Sequence, residues 1–334
     1  MPNVILSGFA DEAANQKTAV QQFSAFAAIG LQHYSLRFID AGQGIKNVMK
    51  LTDPEIETVL NLQQEYGLKV SSVGSPIGKV KLKDVDDGTK NAYIPFEKYL
   101  AEDVRRACDL TQRFGAKLIR GFSFYHPKGT NPADHLPQVV DHLGQIASVC
   151  DAAGLTFGLE IEANLVGQTG QLLAEIHRQV NHPAMLLIFD AANIVCQGFS
   201  AADVYEQYQA MKPGLGWMHI KDYLHPEKPT GRVDHVDEES MWNFVPSDQG
   251  DSGHERLLRD LRDFIPTLEK RLAARNVPGV YLDLEPHVKS GGQFGGFSGP
   301  DGMGVALRSL CRVLDYVGID YHLRDFADIV ASRK

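Results

Sequence analysis

Short apolar runs alternate with longer amphipathic stretches along nearly the whole chain. The runs Val4–Phe9, Gln32–Phe38, Lys69–Ser75, Lys117–Phe122, Thr156–Glu162, Met185–Asp190, Gly216–Ile220 and Val280–Glu285 have the length of strands. They are rich in apolar residues, as parallel strands buried on both faces are, and several end in a polar or charged side chain. Helical periodicity fills the intervals, for example Pro54–Tyr66, Pro95–Phe114, Ala133–Ala153, Thr169–Gln179, Ala201–Met211 and Glu255–Arg275, with a last helix over about Asp301–Val317. Strand–helix alternation predicts a parallel sheet with right-handed crossovers, and eight such units can close into a (β/α)8 TIM barrel spanning 1–334 as one domain.

The joints agree with that reading. Gly30, Gly67, Gly115 and Gly154 each stand where a helix must stop and the next strand begin. Glycine takes the left-handed conformation that ends a helix, so each is a predicted C-cap. No Pro- or Ser-rich linker divides the chain. The strand-to-helix loops Ser75–Ala92 and His225–Gly253 are long and polar, as expected of loops that roof a barrel active site.

Composition narrows the function more than the fold. The 334 residues carry a formal net charge of −9, with a sequence pI of about 5.7. That acidic balance disfavours nucleic acid as a partner, since a duplex binder needs a basic face. No apolar stretch is long enough to span a bilayer, and the N-terminus reads as a strand rather than a signal peptide, so a cytoplasmic protein is expected. Cys108, Cys150, Cys196 and Cys311 form no close sequence pair and are expected to be buried, reduced thiols.

Four of the apolar runs end in side chains that bind metals: Leu159–Glu162 (LEIE), Ile188–Asp190 (IFD), Trp217–Asp222 (WMHIKD) and Leu282–His287 (LDLEPH). Side chains alternate faces along a strand. If the apolar set packs on the helices, Glu160 and Glu162 point into the barrel, as do His219 with Lys221 and Asp283 with Glu285; Asp190 is the last inward residue of its strand. A single carboxylate at a strand end is more often a helix cap, and the Ala-Ala-Asn after Asp190 would suit that role. Inward, unpaired Glu160 and Glu285 would be costly, which favours a cation among them. Oxygen and imidazole donors without thiolate suit Mn²⁺, Mg²⁺, Co²⁺ or Zn²⁺.

The stretches VSSVGSPIG (Val70–Gly78), IRGFSFY (Ile119–Tyr125), IFDAANIV (Ile188–Val195), HIKD (His219–Asp222) and LEPHVKSGGQFGGFSG (Leu284–Gly299) resemble the sugar phosphate isomerase/epimerase family of xylose-isomerase-like TIM barrels. The resemblance runs from Asp11-Glu12 to the last helix. It implies one divalent metal, Mn²⁺ foremost, held by Glu160, Asp190, His219 and Glu285, the same four that alternation selects. It also implies an isomerase or epimerase acting on a small sugar or sugar phosphate, with a possible homo-oligomer. Two positions depart from the pattern: Ser35 where many relatives have Glu, and Asn193 where ketose 3-epimerases have His.

The chemistry so implied is proton transfer beside a carbonyl through an enediolate, with Glu160 and Glu285 as acid/base pair. Lys221, Asn193, His126, His287 and Arg120 are candidates for substrate contact, although Lys221 equally suits a counter-ion of the carboxylates and Arg120 suits that role better. Glu162 and Asp283 are candidates for orienting the ligands. The glycine-rich Ser290–Pro300 segment could bind phosphate or close over the site, with Ser298 and Pro300 starting the helix but Asp301 opposing an anion. Rival readings are an inosose-type dehydratase on the same ligands, an endonuclease IV-like nuclease, and a non-catalytic sugar-binding barrel.

Overall fold

A computed structural model of the chain describes residues 2–227, 231–233, 236, 240–288 and 299–332. Eight parallel strands form the wall: β1 (Asn3–Gly8), β2 (His33–Leu36), β3 (Lys69–Ile77), β4 (Leu118–Gly121), β5 (Thr156–Glu160), β6 (Met185–Asp190), β7 (Leu215–Ile220) and β8 (Tyr281–Leu284). Their order is β1-β8-β7-β6-β5-β4-β3-β2, and a bridge between Phe9 and Ser35 joins β1 to β2 and closes the ring. The predicted TIM barrel is the observed fold. A short strand, Asp320–Tyr321, extends the sheet outside the ring beside Asn3 and Val4.

The helices are α1 (Ala19–Ala28), α2 (Asp53–Glu65), α3 (96–113), α4 (Leu136–Ala152), α5 (Gly170–Val180), α6 (Ala201–Met211), α7 (His254–Ala273) and α8 (Gly299–Val317). Helix α3 contains a π turn over Leu100–Val104. Starts follow capping chemistry: before α6, the Asp203 N–H donates to Ser200 Oγ and the Ser200 N–H donates to Asp203 Oδ2 (2.9 Å). Gly30, Gly67, Gly115 and Gly154 all have positive φ, so the predicted helix-to-strand joints hold. Pro300 is the second residue of α8; Ser298 and most of the glycine-rich segment lie outside the described residues.

The barrel interior is filled in layers. Low in it, Ser35 and Ser71 donate to Asp283 (3.1 and 3.3 Å), and Ser7 pairs with Ser71 (2.7 Å), tying β1, β2, β3 and β8 together. The indole of Trp217 lies over Gly158, where a Cβ would fall 2.0 Å from the ring. Above them Phe9 meets the His219 ring edge-on, centroids 5.2 Å apart.

Two expectations are corrected. Strand β5 ends at Glu160, so Glu162 lies past the alternating segment. Cys311 is half-buried rather than buried. Cys108 and Cys150, distant in sequence, bring their sulphurs within 3.8 Å between α3 and α4; all four cysteines are free.

Candidate metal centre

Strands β5, β6, β7 and β8 deliver Glu160, Asp190, His219 and Glu285 to one point at the top of the barrel. Each is buried, and one donor atom from each lies within 4.8 Å of the others. His219 Nδ1 faces Glu160 Oε1 at 2.9 Å and Glu285 Oε2 at 3.7 Å. Burial would drive the protons off His219 and onto the glutamates. Their mutual attraction wins: the imidazole is held above its ordinary value, and Glu160, helped by Arg120, falls to about 2. Asp190 is raised by burial even though Lys221 lies 2.9 Å away.

Three cations surround the cluster. Lys221 Nζ contacts both Glu285 Oε2 (2.7 Å) and Asp190 Oδ2; Arg120 Nη1 lies 3.4 Å from Glu160 and 3.3 Å from Glu285; Arg37 Nη1 donates to Glu285 Oε1 at 2.6 Å. Burial favours a neutral Glu285 carboxyl, but Lys221, His287, Arg37 and Arg120 together hold it well below the usual carboxylate range. Arg37 also grips the acid pair after β1, with Nη2 3.1 Å from Asp11 and 2.8 Å from Glu12. Lys17 completes this edge at 3.3 Å from Asp11.

These groups fit a divalent ion. Buried carboxylates Asp11, Glu12, Glu160, Asp190 and Glu285, with Asp283 beneath, outnumber the buried cations Lys17, Arg37, Arg120 and Lys221. Uncompensated buried carboxylates are expensive, so a centre of this composition calls for added positive charge. The oxygen and imidazole donors are those a hard or borderline cation takes.

The other candidates are spread around the same cavity of about 760 Å³. Asn193 lines it and donates from Nδ2 to the Ile161 carbonyl (3.0 Å) and Glu160 (3.4 Å), while its own N–H donates to Asp190 Oδ1, so Asp190 caps a short helix as well as joining the cluster. His287, at positive φ, sits 3.0 Å from Glu12 and 3.7 Å from Glu285. His126 is on the wall, apart from the cluster, stacked against His135 and within 3.2 Å of Thr130 Oγ1. Glu162 does not orient the four donors; it pairs with Lys79 at 2.7 Å at the half-exposed rim. Asp283 lies under the cluster and is held by serines, its carboxyl raised by burial.

Sequence reasoning did not identify Phe9, Asp11, Glu12 or Arg37 as part of the site. Both guanidinium groups, of Arg37 and Arg120, lie against the Phe9 ring, 4.5 and 4.8 Å from its centroid. The available signal was an acid pair directly after the first strand and an arginine at the end of the second.

Such a barrel with such a mouth defines a family. The profile described as "Xylose isomerase-like TIM barrel" matches residues 23–266, and the chain belongs to that family. No curated protein matches the sequence. Solved structures resemble it at low identity. A probable 3-DHS dehydratase, AsbF, from Bacillus anthracis has TM-score 0.64 and 16% identity, with 93% of this chain and 99% of that one covered. The IOLI protein with a bound zinc atom has TM-score 0.65 and 13% identity, covering 94% and 99%. D-allulose 3-epimerase from Methylomonas sp., in complex with D-allulose, has TM-score 0.60 and 15% identity, covering 93% and 98%. Among the described residues no helix is long and apolar enough to cross a membrane.

Proposed function

We propose that this protein is a divalent-metal-dependent sugar isomerase or epimerase, with Glu160, Asp190, His219 and Glu285 holding the metal. The observation that carries this reading is the convergence of those four donors within 4.8 Å of one another, with Glu285 also lining a cavity of about 760 Å³ beside Arg120, Asn193 and Lys221. Neighbouring structures that hold zinc or D-allulose support the same direction.

When bound, the cation supplies charge stabilisation to a substrate oxygen while the adjacent carbon loses its proton. The chain's residues do the rest. Glu160 and Glu285 come from β5 and β8, well apart around the ring, and address a substrate carbon from different sides. Glu285 has both oxygens engaged by Arg37 and Lys221, whereas Glu160 Oε2 meets only the more distant Arg120, so Glu160 is the freer base. One carboxylate removes the proton and its partner returns one. Return to the opposite face of the same carbon gives an epimer; return at the neighbouring carbon, with the hydroxyl proton passing to the former carbonyl oxygen, interconverts aldose and ketose.

The test is a panel of ketoses and aldoses with Mn²⁺ or Mg²⁺ in D₂O. Active substrates should take up solvent deuterium at one carbon. Glu160→Gln and Glu285→Gln should each lose roughly 10²–10⁴-fold in turnover, the size of a general acid–base contribution. Near-normal turnover in both single variants would refute the two-glutamate scheme.

A second reading, dehydration, draws on His287, which Glu12 holds at the cavity wall 3.7 Å from Glu285 and which could protonate a departing hydroxyl. Mass analysis of the product for loss of water separates the two.

A further inference from the structure

Among the described residues the cavity wall is basic although the chain is acidic. Arg37, Lys79, Lys90, Arg120, Lys128 and Lys221 line it, against the carboxylates Glu162 and Glu285, in a protein of net charge −9. On the floor, the carboxylates of the metal cluster and the Asp11-Glu12 pair already neutralise Arg37, Arg120 and Lys221. At the rim Glu162 neutralises Lys79. Lys90 and Lys128 differ: both are exposed, and neither has an ion-pair partner among the described residues.

Their placement is built rather than incidental. Asp87, whose side chain is only 7% exposed, fastens two loops together. It accepts from Lys81 Nζ (2.7 Å), from Thr89 Oγ1 (2.7 Å) and, from the other loop, the Lys128 N–H (3.2 Å). Gly88 and Gly129, both at positive φ, turn the backbone on either side of this knot. A carboxylate that could have neutralised Lys90 or Lys128 is thereby consumed by Lys81 and the backbone. Lys90 and Lys128 are left on the lining of the same cavity without a carboxylate partner among the described residues.

We propose that the rim formed by Lys90 and Lys128 is an anion subsite, and that the substrate is a sugar carrying a phosphate or carboxylate at the end remote from the reacting carbons. The assignment of the reacting end rests on the proposed function; the anion subsite does not. A neutral monosaccharide would leave these amines without a role, whereas an anion there satisfies both and draws substrate into an otherwise acidic molecule.

Two measurements decide it. On the full-length protein loaded with Mg²⁺, inorganic phosphate is titrated by calorimetry. Lys90→Ala/Lys128→Ala should weaken binding by about tenfold, the equivalent of one charge-assisted contact. Lys98→Ala, an exposed lysine on α3, should leave it unchanged. Equal affinity in wild type and the double variant overturns the subsite. Separately, kcat/KM is compared for neutral sugars, sugar phosphates and sugar carboxylates. The preference for the anionic sugar should fall by about tenfold in the double variant, with the loss in KM. A preference for neutral sugars in the wild type overturns the substrate class. Among the anionic sugars, a kcat/KM for the sugar phosphate that rises with pH through about 6, the second ionisation of a phosphate monoester, identifies the phosphate; a preferred carboxylate with a flat profile identifies the sugar acid. If no sugar turns over but phosphate binding still depends on the two lysines, the isomerase reading fails and the subsite stands.

Discussion

At the scale of single residues, Arg37 is the hub on which the acidic mouth depends. Its guanidinium meets Asp11, Glu12 and Glu285, carboxylates from two different segments, and covers the face of Phe9. Removing one partner of a buried ion pair costs roughly 3–5 kcal/mol, because the remaining charges stay buried and unpaired. Arg37→Met should therefore lower unfolding free energy by that order in urea titration, and Arg37→Lys should restore little, since one ammonium cannot reproduce the fork. A stability equal to wild type would mean the carboxylates find other partners. Glu12 shows the same dependence through pH. Burial pushes its carboxyl up, but His287 and Arg37 outweigh burial and hold it at about 2, against an ordinary 4.5. A pKa depressed in the folded state gives stability that is present above 4.5 and lost as pH falls towards 2. Glu12→Gln should flatten the acid limb of the stability profile in that window; an unchanged limb would show that the ion pair contributes nothing there.

At the scale of elements, the sequence was most legible where local rules govern. Apolar runs and glycine joints located all eight strands, and alternation along β5, β7 and β8 turned Glu160, His219 and Glu285 inward. Alternation failed at Glu162 because the strand ends at Glu160 and the chain then leaves for the rim and Lys79. Arg37 and Asp11-Glu12 were illegible for a different reason. Arg37 and Glu285 are 248 residues apart, and only closure of β8 onto β1, and of β1 onto β2, brings them together. The two-loop knot around Asp87 was likewise beyond any local pattern. Packing inside the barrel offers a test at this scale. On β5, Gly158 leaves room for the Trp217 indole beneath the His219–Glu160 pair, and an added methyl would sit 2.0 Å from the ring. Trp217 is fully buried and has little room to retreat. Overpacking of this kind typically costs about 1–3 kcal/mol. Gly158→Ala should lower stability by that amount and change the indole fluorescence, whereas unchanged stability and fluorescence would indicate slack in the barrel that the packing does not suggest.

At the scale of the whole molecule, the decisive quantity is the charge enclosed by the barrel. The strands and helices are held by apolar burial spread over the entire chain, so the fold should survive without metal. The mouth is another matter: it concentrates buried carboxylates in excess of buried cations. A divalent ion that binds the folded state and not the unfolded chain stabilises by an amount set by its concentration relative to its dissociation constant, about 2.7 kcal/mol at a hundredfold excess. In a protein of this size that corresponds to a rise in Tm of roughly 4 °C. Chelator-treated protein should therefore remain folded by circular dichroism but melt lower, and Mn²⁺ or Mg²⁺ should restore the difference. The control is Asp190→Asn, which keeps the volume, and a group able to cap the short helix, but removes one anionic donor. It should reduce the metal-dependent part of Tm while changing the metal-free Tm far less, because it relieves a buried charge as well as removing a ligand. If added metal raised Tm equally in both proteins, the ion would be binding elsewhere, and the acidic mouth would be a structural charge network balanced by its arginines and lysine alone.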